Sequence, residues 1–208
     1  MDAARGGAMK PSEALPQAHF AGYASRLSQV LGEASWDGVE ALARELLECW
    51  QHGRQVFLCG NGGSAGNAMH LANDFLYGIS KTFGSGLKVN ALPANASVLT
   101  CLGNDCGYDQ IFAMQLAVQA AKGDVLIVLS GSGNSPNIVK ALEQAKKMGV
   151  RSYAVLGYGG GKAKALADVP IHFTVDDMQL AEDLQLIVGH MIMQWLYAQR
   201  GGVKAPPG

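Results

Sequence analysis

Charge is scarce in this 208-residue chain. Charged residues are 16% of it and the net charge is -1. No general basic field is present to hold nucleic acid or an anionic membrane. No apolar run reaches transmembrane length and no signal peptide is evident. The four cysteines, Cys49, Cys59, Cys101 and Cys106, form no C-x-x-C pair and read as reduced thiols of a cytoplasmic protein. No internal repeat and no linker long enough for a second domain is visible. The lysine of a P-loop is missing after Gly60-Asn61-Gly62-Gly63-Ser64, and the glycine spacing there is not G-x-G-x-x-G, so neither ATPase nor dinucleotide chemistry is supported.

Hydrophobic residues, by contrast, make up 49%. So lightly charged a surface favours self-association, which hides surplus apolar area. Two turns stand out. Gly60-Asn61-Gly62-Gly63-Ser64 follows the apolar run Val56-Phe57-Leu58-Cys59, and Ser130-Gly131-Ser132-Gly133-Asn134-Ser135 follows Val125-Leu126-Ile127-Val128-Leu129. Each is a buried-strand pattern that breaks into glycine and then opens a helical pattern. Glycines let backbone approach an anion, serines donate hydroxyls, and a helix N-terminus adds free N–H groups. Two such turns in one sheet point to a phosphorylated small molecule.

The remaining pattern alternates strands and helices. Helices are expected over residues 19–31, 36–50, 64–77, 95–102, 109–121 and 135–148, with a short one after 157–161 and a long one to about 199. Strands are expected over 55–59, 87–92, 124–129, 151–156 and 169–173. Ser64 is expected to cap its helix, and Asn104 and Asp105 to sit in a turn, either contacting a sugar or simply as the residues turns favour. Residues 1–16 and 201–208 are expected to be poorly ordered. This order implies an α/β fold, a five-stranded parallel sheet covered on both faces, with ligands at the carboxyl ends of the strands.

Four further side chains can carry chemistry. His70 and Asp74 are four apart and share a helix face, where they form a metal-chelating or acid–base pair, or an ordinary surface pair. Glu182 and His190 lie on the apolar last helix, eight apart, or roughly 12 Å on a straight helix. Either the helix starts irregularly or the two serve sites completed by different chains; a helix-start glutamate and a core histidine is the plainer alternative. His19 and His52 are expected to be exposed and His172 to lie in the last strand.

With Cys59-Gly60-Asn61-Gly62-Gly63-Ser64, Ala68-Met69-His70, Gly103-Asn104-Asp105, Ser132-Gly133-Asn134-Ser135 and His190 together, the chain resembles the sugar isomerase (SIS) domain family, in its phosphoheptose isomerase branch. The resemblance runs over residues 55–196. It implies a doubly wound, flavodoxin-like three-layer αβα sandwich, a homotetramer with active sites between subunits, and often a zinc ion. It also implies isomerisation of sedoheptulose 7-phosphate to D-glycero-D-manno-heptose 7-phosphate, for bacterial surface polysaccharide.

Carried over residue by residue, the resemblance gives a metal set of His70, Asp74, Glu182 and His190 for zinc or another divalent ion. The catalytic set is Asp74, Glu182 and His190. Substrate contacts fall to Asn61, Gly62, Gly63, Ser64, Asn104, Asp105, Ser130, Ser132 and Ser135. Four positions depart from the family pattern: Asp74 replaces glutamate, Glu182 glutamine, Asn67 aspartate and Gly131 threonine. Those departures keep two rival readings open, an isomerase of another sugar phosphate and a non-catalytic SIS binding protein.

Overall fold

The computed structural model describes residues 16–203. The segments expected to be poorly ordered lie outside these residues, except that Pro16 opens a helix and residues 201–202 belong to a 3-10 turn, Arg200–Gly202. The chain divides into two compact units at Ala34/Ser35. In the first, α1 (Pro16–Glu33) is a helix of 18 residues, none of them buried.

The second unit carries α2 (Asp37–His52), β1 (Val56–Cys59), α3 (Gly63–Asn73), β2 (Val89–Ala91), α4 (Ala96–Asp105) and α5 (Ala113–Gln119). It continues through β3 (Val125–Ser130), α6 (Pro136–Met148), β4 (Arg151–Leu156), α7 (Gly161–Leu166), β5 (Val169–His172) and α8 (Met178–Gln199). The strands form one all-parallel sheet in the order β2-β1-β3-β4-β5. Every residue of β1 and β3 is buried, as an all-parallel sheet covered by helices requires. Alternate residues serve opposite faces. Phe57, Cys59, Leu126, Val128, Ala154 and Leu156 join a core with Ile138, Leu142 and Leu116 from α6 and α5. Tyr153 points the other way and its hydroxyl donates to Ala41 O of α2. On this side α2 and α3 pack against α8. The α/β sandwich read from the sequence is the fold.

From β1 the chain steps to β2 on one side and then crosses to β3 on the other. The carboxyl ends of β1 and β3 therefore flank the topological switch point, where open α/β sheets bind ligands. Both glycine- and serine-rich turns leave the sheet there. Their relative height is set at the opposite end by Asp124, 7% exposed. It accepts from Gln55 N at 2.9 Å and from Ala121 N at 2.8 Å, tying the start of β1 to the start of β3.

Three expected boundaries move. The helix expected over 64–77 is α-helical only to Asn73 and then widens into a π-turn, Asp74–Gly78. The turn expected at residues 103–105 is helical, because Asn95 caps α4 by accepting from Val98 N and carries it through Asp105; the reversal waits for Gly107, at φ 97°. Residues 109–121 split into a 3-10 turn, Tyr108–Gln110, and α5. The thiols of Cys49 and Cys59 are buried, and burial pushes Cys49 up to about 12 and Cys59 well above the usual thiol range; all four cysteines are free. No helix among the described residues is long and apolar enough to cross a membrane.

Asp124→Ala removes two hydrogen bonds to a buried carboxylate and is expected to cost about 2–4 kcal/mol in urea unfolding. Asp124→Asn, with one acceptor left, falls between. A parent-like midpoint for the alanine variant would show that the carboxylate does not tie these strands.

Candidate active site

The two turns are joined side chain to side chain. Asn61, in the turn after β1, exchanges two amide hydrogen bonds of 2.8 Å with Asn137, in the first turn of α6. Tyr108 donates its hydroxyl to Asn61 Oδ1 at 3.2 Å. Asn137 is 1% exposed, so this pair is an interior weld between the turns. In the second turn Ser130 is buried and accepts from Gly133 N at 3.0 Å, which closes the turn from within. Ser132 accepts from Asn134 N, and Ser135 stands at the start of α6 without capping it. The hydroxyls placed at the mouth of the turn are therefore those of Ser132 and Ser135.

The other half of the site lies between α3 and α8. These helices run parallel, and their side-chain contacts hold nearly one offset along their length. Gln185 Nε2 donates to Ser64 Oγ across 121 positions, Asn67 Nδ2 donates to Gln185 Oε1 across 118, and His70 Nε2 meets His190 Nε2 across 120. Between these polar contacts, Gly189 lets α3 come close: a Cβ there would collide with the side chain of Leu71, itself 2% exposed. The shared register brings His70, Asp74 and His190 together. The two Nε2 atoms are 2.9 Å apart, and each lies 3.5 Å from Asp74 Oδ2. Asp74 is the first residue of the π-turn, a form of helix common at functional sites.

Two imidazoles and a carboxylate are a natural ligand set for zinc. Ligand atoms about 2.0 Å from a tetrahedral ion stand about 3.3 Å apart, close to the three separations here. The donor set thus fits a divalent ion of that size, and these three residues are a metal-competent group among the described residues.

Glu182, the fourth member of the set drawn from the resemblance, does not fall within this compact group. Its carboxylate lies over the start of α3, where a Cβ on Gly63 would collide with both oxygens. The cause is helical rise: the start of α8 is regular, with Asp177 capping it, so Glu182 stays two turns from His190. Ser64 is likewise not the cap of α3. Gly62 holds that place, and Ser64 is buried against Gln185. Ser130 is buried and its hydroxyl accepts within its own turn. Asn104 and Asp105 end α4 on the surface, with Asn104 Nδ2 donating to Asp105 Oδ1 at 2.7 Å. Cys101 donates its S–H to Asp105 Oδ2, which raises the thiol pKa above its usual value.

Reasoning from the sequence missed Gln185, Asn137 and Tyr108. The available signal for Gln185 was a polar amide on the otherwise apolar face of the last helix. The departures Asn67 and Glu182 turn out to be neighbours: Asn67 Nδ2 donates to the backbone oxygen of Glu182 at 3.0 Å.

Paired glycine- and serine-rich turns at the switch point of a parallel sheet, with two imidazoles and a carboxylate on the adjoining helices, are the framework of an α/β protein with a ligand site at the carboxyl ends of its strands. The sequence profile of the SIS domain matches residues 19–157, and the chain belongs to that family. It is 39% identical over 156 residues to a phosphoheptose isomerase of Akkermansia muciniphila, covering 75% of this chain and 82% of that one. It is 35% identical over 175 residues to the phosphoheptose isomerase of Aliarcobacter butzleri, covering 84% and 92%. The solved phosphoheptose isomerase of Neisseria gonorrhoeae superposes with a TM-score of 0.80 at 28% identity, over 88% of this chain and 98% of that one. The fold is shared more widely: the sugar isomerase domain of an RpiR transcription factor from Sphaerobacter thermophilus superposes at 0.66 with 19% identity, over 90% and 92%.

Gly189→Ala tests the close approach of α3 and α8. Overpacking costs about 1–3 kcal/mol, against roughly 1 kcal/mol gained from alanine's helix propensity. A net loss of up to about 2 kcal/mol is expected in urea unfolding. A variant more stable than the parent would mean that Leu71 does not press on this position.

Proposed function

We propose that this chain is a phosphoheptose isomerase, converting sedoheptulose 7-phosphate to D-glycero-D-manno-heptose 7-phosphate through an enediol. The observation that carries the reading is the coupling of the Ser132–Ser135 turn to the His70–Asp74–His190 triangle. The first turn, welded to the second through Asn61 and Asn137, opens α3. His70 lies seven residues on from Gly63, roughly 10 Å along the helix. That span suits a long sugar with phosphate at one end and carbonyl at the other.

In this reading the hydroxyls of Ser132 and Ser135 and the N-terminus of α6 hold the phosphate. The main-chain groups of Gly62 and Gly63, with Asn104 and Asp105, serve the sugar. Asp74 Oδ2 lies 3.5 Å from either imidazole. It takes the proton from the carbon beside the carbonyl and returns it to the neighbouring carbon, with His190 as acid–base partner. A divalent ion such as zinc, held by His70, Asp74 and His190, would occupy both Nε2 atoms and Asp74 Oδ2, supply a Lewis acid for the carbonyl oxygen in place of the His190 proton, and leave Asp74 Oδ1 to move the carbon-bound proton. Glu182, over Gly63, borders the sugar instead of binding the ion.

The same reading includes a homo-oligomer, a tetramer, with the site at a subunit boundary. Met69 is 43% exposed beside His70, Leu76 and Tyr77 are each 55% exposed beside Asp74, and Met191 is 44% exposed beside His190. An apolar groove of about 330 Å³ between α2 and α8, lined by Trp36, Met191 and Trp195, adds to this uncovered area. Free thiols and the absence of a membrane-crossing helix among the described residues support a cytoplasmic enzyme.

The test is a coupled assay over a panel of ketose phosphates, run in D2O with metal added and chelated. Isomerisation of sedoheptulose 7-phosphate with deuterium gained at the carbon beside the carbonyl is expected. Asp74→Asn should lower kcat about 100-fold or more, the usual worth of an acid–base group. Ser132→Ala with Ser135→Ala should raise KM with a smaller change in kcat, because phosphate contacts act in ground and transition states alike. Glu182→Gln should retain most activity. A parent that isomerises nothing in the panel would leave the sugar-phosphate binding function of the fold in its place.

A further inference from the structure

We infer that Gln185 is the positioning residue of the His70–Asp74–His190 triangle: its buried amide sets the register of α8 on α3. This rests on the proposed function only in the meaning given to the triangle.

Gln185 is 1% exposed, and the other buried residues of its helix, Ala181, Leu184, Val188, Gly189 and Ile192 among them, are apolar. A buried amide among such residues is costly unless both its ends are paired. Both are. Nε2 donates to Ser64 Oγ at 3.0 Å and Oε1 accepts from Asn67 Nδ2 at 3.0 Å. Asn67 Nδ2 also reaches the main-chain oxygen of Glu182 at 3.0 Å. One amide of α8 is thus clasped by two residues of α3, one helical turn apart.

Apolar packing resists sliding of one helix along another through side-chain fit, without the distance and angle limits that a hydrogen bond adds. The Leu71–Gly189 contact limits separation more than sliding. The clasp is directional: a slide of one residue rise, about 1.5 Å, stretches a 3.0 Å bond lying across it to about 3.4 Å, past the usual N–H···O range. The triangle tolerates no more. His70 and Asp74 come from α3 and its π-turn, His190 from α8, and the imidazole centroids are 5.1 Å apart. His190 lies five residues beyond Gln185 and His70 three beyond Asn67, so an error at the clasp passes through rigid helix to the triangle. The hydrogen bonds of Gln185 go to Ser64 and Asn67, not to the imidazoles or Asp74, so it acts through the backbone that carries them.

The experiment compares the parent with Gln185→Leu, Asn67→Ala and Gln185→Glu in the full-length protein. The glutamate keeps an acceptor for Asn67, and the Ser64 hydroxyl can rotate to donate to it. Two readouts report on the triangle. One is the cross-relaxation signal between the His70 and His190 rings in histidine-labelled, metal-free protein, assigned with His70→Ala. The other is Co(II) binding, followed by its visible absorption. Gln185→Leu is expected to lose the ring-to-ring signal and to weaken Co(II) binding about tenfold or more, the scale seen when support of a metal site is removed. Gln185→Glu should restore both in part. If the leucine variant does not fold, Asn67→Ala decides, with the same loss expected in smaller degree. Parent-like ring contact in whichever of these two variants decides overturns the inference, even if its melting temperature has dropped. A parent that shows the ring contact yet binds no Co(II) counts against the metal reading alone, and the ring signal then decides the role of Gln185.

Discussion

Everything chemical in this protein depends on the parallel packing of α3 and α8 in one register. The glycine at 189 allows the approach, the buried Gln185–Ser64–Asn67 clasp fixes the slide, and three side chains from the two helices then converge on one point. The π-turn at Asp74 belongs to the same arrangement, since it begins at the residue that both imidazoles approach. No strand contributes to the triangle. The sheet's part is to deliver α3 from the end of β1 and to hold β1 and β3 level, so that the turn beside α3 meets the turn beside α6.

The division of labour follows from burial. Ser64, Ser130, Asn137 and Gln185 are polar and buried, and each spends its hydrogen bonds inside the protein. They are framework. Ser132, Ser135, His70 and His190 are at least partly exposed. A serine in a glycine-rich turn is therefore of two kinds here, and sequence alone does not separate them. Both kinds donate and accept, and only the direction in which the backbone presents them decides.

The fold was legible because its signals are local. Continuous apolar runs bounded by glycine marked β1 and β3, and the strand–helix alternation left few topologies open. The pairing of His70 with His190 was legible as well, although through the resemblance rather than the spacing. Three things were not. The helix through Gly103 to Asp105 depended on an Asn95 cap that outweighs one unfavourable glycine. The inward turn of Ser130 and Ser64 depended on partners 3 and 121 positions away. The exclusion of Glu182 depended on helical rise, which keeps it two turns from His190. Asn67 and Glu182 looked like unrelated departures and are in contact. Taken together they exchange a carboxylate and an amide between α3 and α8, which keeps one negative charge in the neighbourhood.

The central claim is that His70, Asp74 and His190 form one metal-holding group and Glu182 stands outside it. Crystals grown with zinc and measured on both sides of the zinc absorption edge test this directly. The account predicts an anomalous peak about 2 Å from the Nε2 atoms of His70 and His190 and from Asp74 Oδ2, with the Glu182 carboxylate still over Gly63. A peak ligated by Glu182 in place of Asp74, or none at the triangle in protein that turns over with zinc, would contradict it.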